Sequence, residues 1–222
     1  MIPLLRLILP RLVEVEESTA DSTAESPFAE ERALVARAIP TRRAEFFTVR
    51  ECARRALGRL GETAAPILPG PDRAPLWPVG IVGSLTHCYG YRAAAVARAS
   101  AILSIGIDAE PHGPLPDGIA DLVSLDVERT HLAFLAAGEP RISWDRILFS
   151  AKESVFKTWF PLTRRWLDFT DCEIAIDPLA GTFAAMLLVP GPIVEDRRLD
   201  GFTGRWVIAD GLVVTSVCVT RS

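Results

Sequence analysis

Two acidic side chains, Asp108 and Glu110, close the run Ser104-Ile105-Gly106-Ile107-Asp108-Ala109-Glu110. On an extended strand alternate side chains share a face, so Ser104, Asp108 and Glu110 line one side, Gly106 leaves that side open, and Ile105, Ile107 and Ala109 pack behind. Paired carboxylates repel; if buried they need a counter-charge, and a hard divalent cation such as Mg²⁺ suits paired oxygen ligands. Taken alone, a bare Asp-x-Glu is common enough that two acids facing water at a strand end is the better description. A third acid, Glu153, precedes Lys157 by four residues on a segment whose Trp144, Ile147, Leu148, Ala151, Val155 and Trp159 form one apolar stripe. Phe149, Phe156 and Phe160 fall on the opposite side, around Glu153 and Lys157. An i,i+4 ion pair worth ~0.3–0.5 kcal/mol explains that spacing but not the rings. A carboxylate among aromatic rings is costly to ionise without a cation beside it, so Glu153 reads as functional.

Gly83-Ser84-Leu85-Thr86-His87-Cys88 is the third candidate. Backbone N–H groups near Gly83, with the Ser84 hydroxyl and His87, suit phosphate oxygens, although a lone histidine is more often structural. Phosphate is the ligand class that would use arginines, histidine, carboxylates and lysines together. Long-range charge gives it no help: 24 basic against 28 acidic residues leave a net charge of −4, which argues against nucleic acid and requires a local basic cluster. All basic residues but two are Arg; Lys152 and Lys157 sit five positions apart and mark their segment, lysine being a compact point charge unlike the arginine fork.

These groups need a scaffold, and 222 residues with 49% apolar content can build one large domain or two modest ones. No apolar run approaches the ~20 residues of a membrane span. Cys52, Cys88, Cys172 and Cys218 show no zinc spacing and read as free thiols of a reducing compartment, which implies a cytoplasmic protein. The opening MIPLLRLILPRLVEV, interrupted by Arg6 and bracketed by Pro3 and Pro10, reads as an edge strand or packing arm and not as a leader. Helices are expected from a Ser26 cap to about Ile39, ended by Pro40; from a Thr41 cap to about Leu60, closed by Gly61; and from a Ser143 cap to Phe160, stopped by Pro161. The second carries Arg43, Arg50 and Arg54 at helical spacing, in isolation a solvated face. Residues 65–78, with five prolines, form an extended loop. Strands are expected over 81–88, 91–97, 102–110, 173–176, 182–189, 205–209 and 212–219, the last two joined by Asp210-Gly211, and residues 111–140 form an excursion with a helical patch. The result is an α+β chain of two similar halves meeting near residue 104.

Trp77-Pro78 followed by the Gly83–Cys88 block, then Ile105-Gly106-Ile107-Asp108-Ala109-Glu110, then Phe149-Ser150-Ala151-Lys152-Glu153-Ser154-Val155-Phe156-Lys157 resemble, in order and spacing, the three signature blocks of the 4′-phosphopantetheinyl transferases of the surfactin/enterobactin-synthetase type. The helix with Arg42-Arg43 and Val49-Arg50, and the stretch Pro161-Leu162-Thr163-Arg164-Arg165-Trp166, extend the likeness to actinobacterial members, over roughly residues 40–220. The resemblance implies two α+β halves, 1–104 and 105–222, in a pseudo-twofold arrangement with coenzyme A between them, acting as a monomer. It implies Mg²⁺-dependent transfer (Mn²⁺ serving in its place) of the 4′-phosphopantetheine arm of coenzyme A to a serine of an apo acyl or peptidyl carrier protein, releasing adenosine 3′,5′-bisphosphate, in polyketide, nonribosomal peptide or siderophore synthesis. Carried over, Asp108, Glu110 and Glu153 would hold the metal, Arg42, Arg50 and His87 the 3′-phosphate region, and Ser84, Lys152 and Lys157 the diphosphate, with Glu153, Lys157 and Asp108 as the catalytic group. The proton of the serine would go to Glu153, to a metal-bound water or to a lysine. Where relatives have a basic residue in an Ile-Leu-Lys-Gly stretch, this chain has Ile67-Leu68-Pro69-Gly70, and Arg73 is the nearest substitute. The rival readings are a non-catalytic binder of coenzyme A or carrier protein and a Mg²⁺-dependent phosphohydrolase.

Overall fold

A computed structural model of the chain describes residues 3–70 and 72–221. Eight of its strands form two antiparallel sheets. β1 (Glu14–Ser18), β3 (Tyr91–Arg98) and β2 (Ile81–Cys88) make a three-stranded sheet in that order; β4 (Ile102–Pro111), β10 (Leu212–Thr220), β9 (Gly201–Ala209), β6 (Thr182–Leu187) and β5 (Cys172–Asp177) make a five-stranded one. A small hairpin, β7 (Ile193–Val194) with β8 (Arg197–Arg198), which the sequence reading did not foresee, stands apart. The expected strands over 81–88, 91–97 and 102–110 form, but not as one meander: β2 and β3 pair as a hairpin, while β4 leaves them to pair with β10 in the larger sheet. The Asp210-Gly211 hairpin forms as expected, with φ of 52° and 74° in that turn.

α3 (Pro40–Arg59) packs Cys52, Ala53, Ala56 and Leu57 on Ile81, Ala94 and Val96. α6 (Trp144–Thr163) lays its predicted stripe, Trp144 to Trp159, on Ile174, Ile176, Phe183, Val213 and Val217 of the larger sheet. The two sheets meet edge to edge at β2 and β4 through side chains: the Ser84 hydroxyl accepts from Ile107 N at 3.2 Å and the Thr86 hydroxyl from Ala109 N at 3.1 Å. Among the described residues no helix is long and apolar enough to cross a membrane.

Local expectations are corrected in four places. The N-terminal arm begins with a helix, α1 (Leu4–Ile8), whose free N–H groups at Leu4 and Leu5 are capped by Glu17, and only then becomes the edge strand β1. Pro40 opens α3 instead of ending its predecessor, because proline's fixed φ and missing N–H suit a first helical position; α2 (Ala29–Leu34) is accordingly short, and Ser26 stands outside it. Pro161 does not stop α6: it forfeits one bond inside the last turn, which Arg164 N to Phe160 O and the Thr163 hydroxyl to Trp159 O hold until Arg164 adopts φ 55°. The excursion contains α4 (Ile119–Val123) and α5 (Asp126–Gly138).

Gly106 carries the contact between the large sheet and its helix. A Cβ there would lie 1.9 Å from Ser154 O and 2.4 Å from Thr158 Oγ1, so β4 and α6 touch backbone to backbone. Ser104 Oγ, on the same strand face, donates to Thr158 O at 2.8 Å. Gly106→Ala must push strand from helix; the expected loss is about 1–3 kcal/mol in urea denaturation.

Candidate functional site

Because β4 and α6 touch at Gly106, the residues just beyond that contact converge. Asp108, 5% exposed, receives Lys157 Nζ at 2.8 Å on Oδ1, and Lys157 also donates to Ile107 O at 3.1 Å. The Thr86 hydroxyl approaches the same Oδ1 at 3.3 Å, while Oδ2 is buried without a hydrogen-bond partner. Glu110 receives Arg146 at 3.1 Å. The Glu110 carboxyl is pushed above the usual carboxylate range, first by burial and then by Asp108, against the pull of Arg146. Glu153 is pushed up likewise, by burial and by Asp108, with Lys157 pulling down. Both glutamates thus feel the charge of Asp108, and the cations present do not compensate their burial.

An orphaned, buried carboxylate oxygen flanked by two under-compensated carboxyls is a donor set of hard oxygens that fits a divalent cation. Among the described residues, no three His, Cys, Asp or Glu side chains already enclose a metal-sized space. Lys157 on Asp108 and Arg146 on Glu110 hold one oxygen of each acid, which leaves Asp108 Oδ2 and Glu110 Oε1 as the oxygens a cation would take.

The two lysines part company. Lys152 is buried, donating to Glu128 Oε2 at 2.8 Å and Phe169 O at 2.6 Å, while Glu128 also accepts from Leu125 N and Ile174 N, both at 2.7 Å. Its ammonium therefore ties α6 to α5 and β5, away from Asp108. Beside it opens a cavity of about 280 Å³ walled by Glu153, Phe156, Trp166, Leu167, Phe169 and Cys172. Phe156 packs on Trp166 at 4.8 Å and Phe149 on Phe169 at 5.8 Å; of the rings singled out around Glu153, Phe156 lines the cavity, with Trp166 and Phe169 beside it.

On the other flank, Arg42 hydrogen-bonds His87 and reaches Glu45 at 3.3 Å; Glu45 also takes the buried Arg92 at 3.3 Å. Burial and Arg42 hold His87 below its ordinary pKa, so it is neutral at pH 7. The arginine stripe is not a solvated face. Arg50 is buried, 3.3 Å over the Phe46 ring, donating to Ile67 O and Phe46 O, and burial lowers its pKa to about 10. Arg54 pairs with the fully buried Glu31 at 2.7 Å, and Glu31 anchors Ile67 N at 2.7 Å. Pro69 bridges Pro75, and Arg73 stands exposed at the tip of that turn with φ 64°.

So Asp108, Glu110, Glu153 and Lys157 share one electrostatic neighbourhood, Arg42 and His87 another, Ser84 is spent on the sheet seam, and Lys152 and Arg50 turn inward. Thr86, Glu45, Glu128 and Arg146 were not singled out from sequence. Thr86 lies two residues from Ser84, and Arg146 seven before Glu153, which are strand and helix periods that could have exposed both.

Comparison with known proteins gives two family models: the 4′-phosphopantetheinyl transferase N-terminal domain matches residues 30–97, and the 4′-phosphopantetheinyl transferase superfamily matches residues 104–207. The chain is similar to the 4′-phosphopantetheinyl transferase Svp of Streptomyces mobaraensis, 64% identical over 86% of this chain and 78% of that one. It is also similar to PptT of Mycobacterium tuberculosis, 46% identical over 90% and 89%, and to Npt of Nocardia iowensis, 47% identical over 84% and 86%; both bear the same transferase name.

A raised carboxyl pKa means the folded chain binds a proton more readily than the unfolded one, so stability falls as pH rises through that window. Glu153→Gln is therefore expected to raise Tm at about pH 7 in chelator, with the advantage over wild type vanishing as the pH drops to about 4. Equal Tm values at both pH values would show that Glu153 is not strained by its setting. For the buried pair, Lys152→Met is expected to cost about 3–5 kcal/mol, part of it recovered by adding Glu128→Gln, as read by denaturant unfolding.

Proposed function

The chain belongs to the 4′-phosphopantetheinyl transferase superfamily, and from that premise we propose how its own residues move the 4′-phosphopantetheine arm of coenzyme A onto a serine of an apo carrier protein. The observation that carries the reading is the gathering of Asp108, Glu110, Glu153 and Lys157 around the β4–α6 contact, with one Asp108 oxygen left unpartnered. In the reaction the serine oxygen forms a bond to the phosphorus on the pantetheine side of the diphosphate. The bond from that phosphorus to the bridging oxygen breaks, and adenosine 3′,5′-bisphosphate leaves with the electron pair. Negative charge grows on the leaving phosphate, and preorganised positive groups lower the barrier most where charge develops.

Asp108, Glu110 and Glu153 are the residues that would hold Mg²⁺, or Mn²⁺, against the diphosphate. The bound ion supplies charge neutralisation there. Lys157, half-buried and already hydrogen-bonded to Asp108, is placed to turn its ammonium to a diphosphate oxygen. Glu153 is the proposed proton acceptor for the serine hydroxyl, a carboxylate on α6 in the electrostatic neighbourhood of Asp108 and Lys157. Arg42 with His87 offers a cationic donor and a neutral ring for the 3′-phosphate. Arg73, exposed on its turn, is the cation proposed to stand in for the basic residue that Pro69 replaces. The aromatic cavity next to Glu153 suits the uncharged, extended pantetheine arm, with its apolar stretches and two amides.

The test is the intact mass of an apo carrier protein incubated with the chain, coenzyme A and Mg²⁺. A gain of one phosphopantetheine unit, abolished by chelator and restored by Mg²⁺ or Mn²⁺, is expected. Coenzyme A breakdown with an unmodified carrier would mean a phosphohydrolase, and binding without either change a non-catalytic relative. Glu153→Ala is expected to lower transfer at least ~100-fold while the protein stays folded; near-normal turnover would remove Glu153 from both roles.

A further inference from the structure

Glu110 lies one residue from the end of β4, where the chain is leaving the sheet, so the strand alone does not hold its carboxylate in place. Arg146, in the first turn of α6, reaches across to it. Its NH1 donates to Glu110 Oε2 at 3.1 Å, its Nε to Gly113 O at 3.0 Å and its NH2 to Pro114 O at 2.8 Å. All three guanidinium nitrogens are engaged, and the side chain is only 15% exposed. Two further bonds fasten the same stretch to the start of α6: Leu115 N donates to Asp145 Oδ2 at 2.7 Å, and Ser143 N to His112 Nε2 at 3.2 Å. Residues 110–115 thus form a strap across the first turn of the helix that carries Glu153 two turns and Lys157 three turns later.

We propose that Arg146 is a positioning residue for Glu110: by gripping Oε2 and the two strap carbonyls at once, it fixes the carboxylate so that Oε1 stays free for a cation shared with Asp108 and Glu153. This rests on the reading that these acids hold a divalent ion. The chemistry calls for arginine. A planar fork can serve two carbonyls and a carboxylate from fixed directions, whereas a lysine ammonium offers a point charge without that geometry. Hydrogen bonds to a ligating carboxylate orient it, and their loss typically costs 10–100-fold in metal affinity or activity.

The experiment measures Mn²⁺ uptake by electron paramagnetic resonance on the full chain with saturating coenzyme A and no carrier protein, so that nothing turns over, after subtracting what coenzyme A binds alone. Arg146→Gln is expected to raise the Mn²⁺ half-saturation about tenfold, and Arg146→Lys to stay several-fold weaker than wild type. Asp145→Ala, which loosens the same strap without touching Glu110, is expected to lower Tm and leave Mn²⁺ uptake unchanged. If Arg146→Gln does not fold, Arg146→Lys decides. Wild-type uptake in both arginine variants overturns the inference, and so does an equal weakening in Asp145→Ala, which would assign the effect to the strap as a whole. Absence of Mn²⁺ uptake by the wild type would instead overturn the metal-binding reading on which the inference stands.

Discussion

At Gly106 the backbone of β4 lies against the backbone of α6 with no side chain between them, and the location of the candidate groups follows from that contact. Asp108 comes two residues after it on the strand; Glu153 and Lys157 flank Ser154 and Thr158, the residues touched, on the helix. Even a methyl group at Gly106, which would sit 1.9 Å from Ser154 O, would have to push strand and helix apart and so stretch the 2.8 Å bond that joins Lys157 to Asp108. Steric smallness at one position is therefore what allows electrostatic closeness at four others.

That closeness has a cost, which the surroundings partly offset. Lys157 and Arg146 each engage one acid, and the remaining imbalance shows as carboxyls held above their usual range on Glu110 and Glu153 and as an unpartnered oxygen on Asp108. A site left short of positive charge is prepared to receive it. Two buried ion pairs elsewhere are satisfied: Lys152 with Glu128, and Arg54 with Glu31, close their charges and anchor Ile174 and Ile67 besides. Buried pairs of that kind serve to hold elements in register, because separating their members strands a charge in a medium that solvates it poorly.

The strands around the site were legible because alternation and turn residues are local signals: Tyr89-Gly90 and Asp210-Gly211 set two hairpins, and Ser104, Asp108 and Glu110 share a face as period two requires. The α6 stripe was legible for the same reason at period 3.6. What escaped depended on partners far along the chain. Arg50 and Arg54 look like surface residues until Phe46, Ile67 and Glu31 enclose them. Lys152 and Lys157 are alike in sequence, and distant partners separate their surroundings: Glu128 and Phe169 for the first, Ile107 and Asp108 for the second. Pro40 and Pro161 were read as breaks although a helix tolerates proline at its first turn and, with enough compensating bonds, in its last.

The seam between the two sheets is stitched by the hydroxyls of Ser84 and Thr86 on the amides of Ile107 and Ala109, where neighbouring strands inside each sheet are joined main chain to main chain. A backbone ladder is indifferent to the letters of the genetic text, since every residue but proline supplies the same rungs. A hydroxyl stitch can be erased by a single codon change, leaving an amide stranded. The joint that sets β2, with His87, against the acids of β4 is thus open to evolutionary adjustment one residue at a time, while each sheet keeps its own integrity.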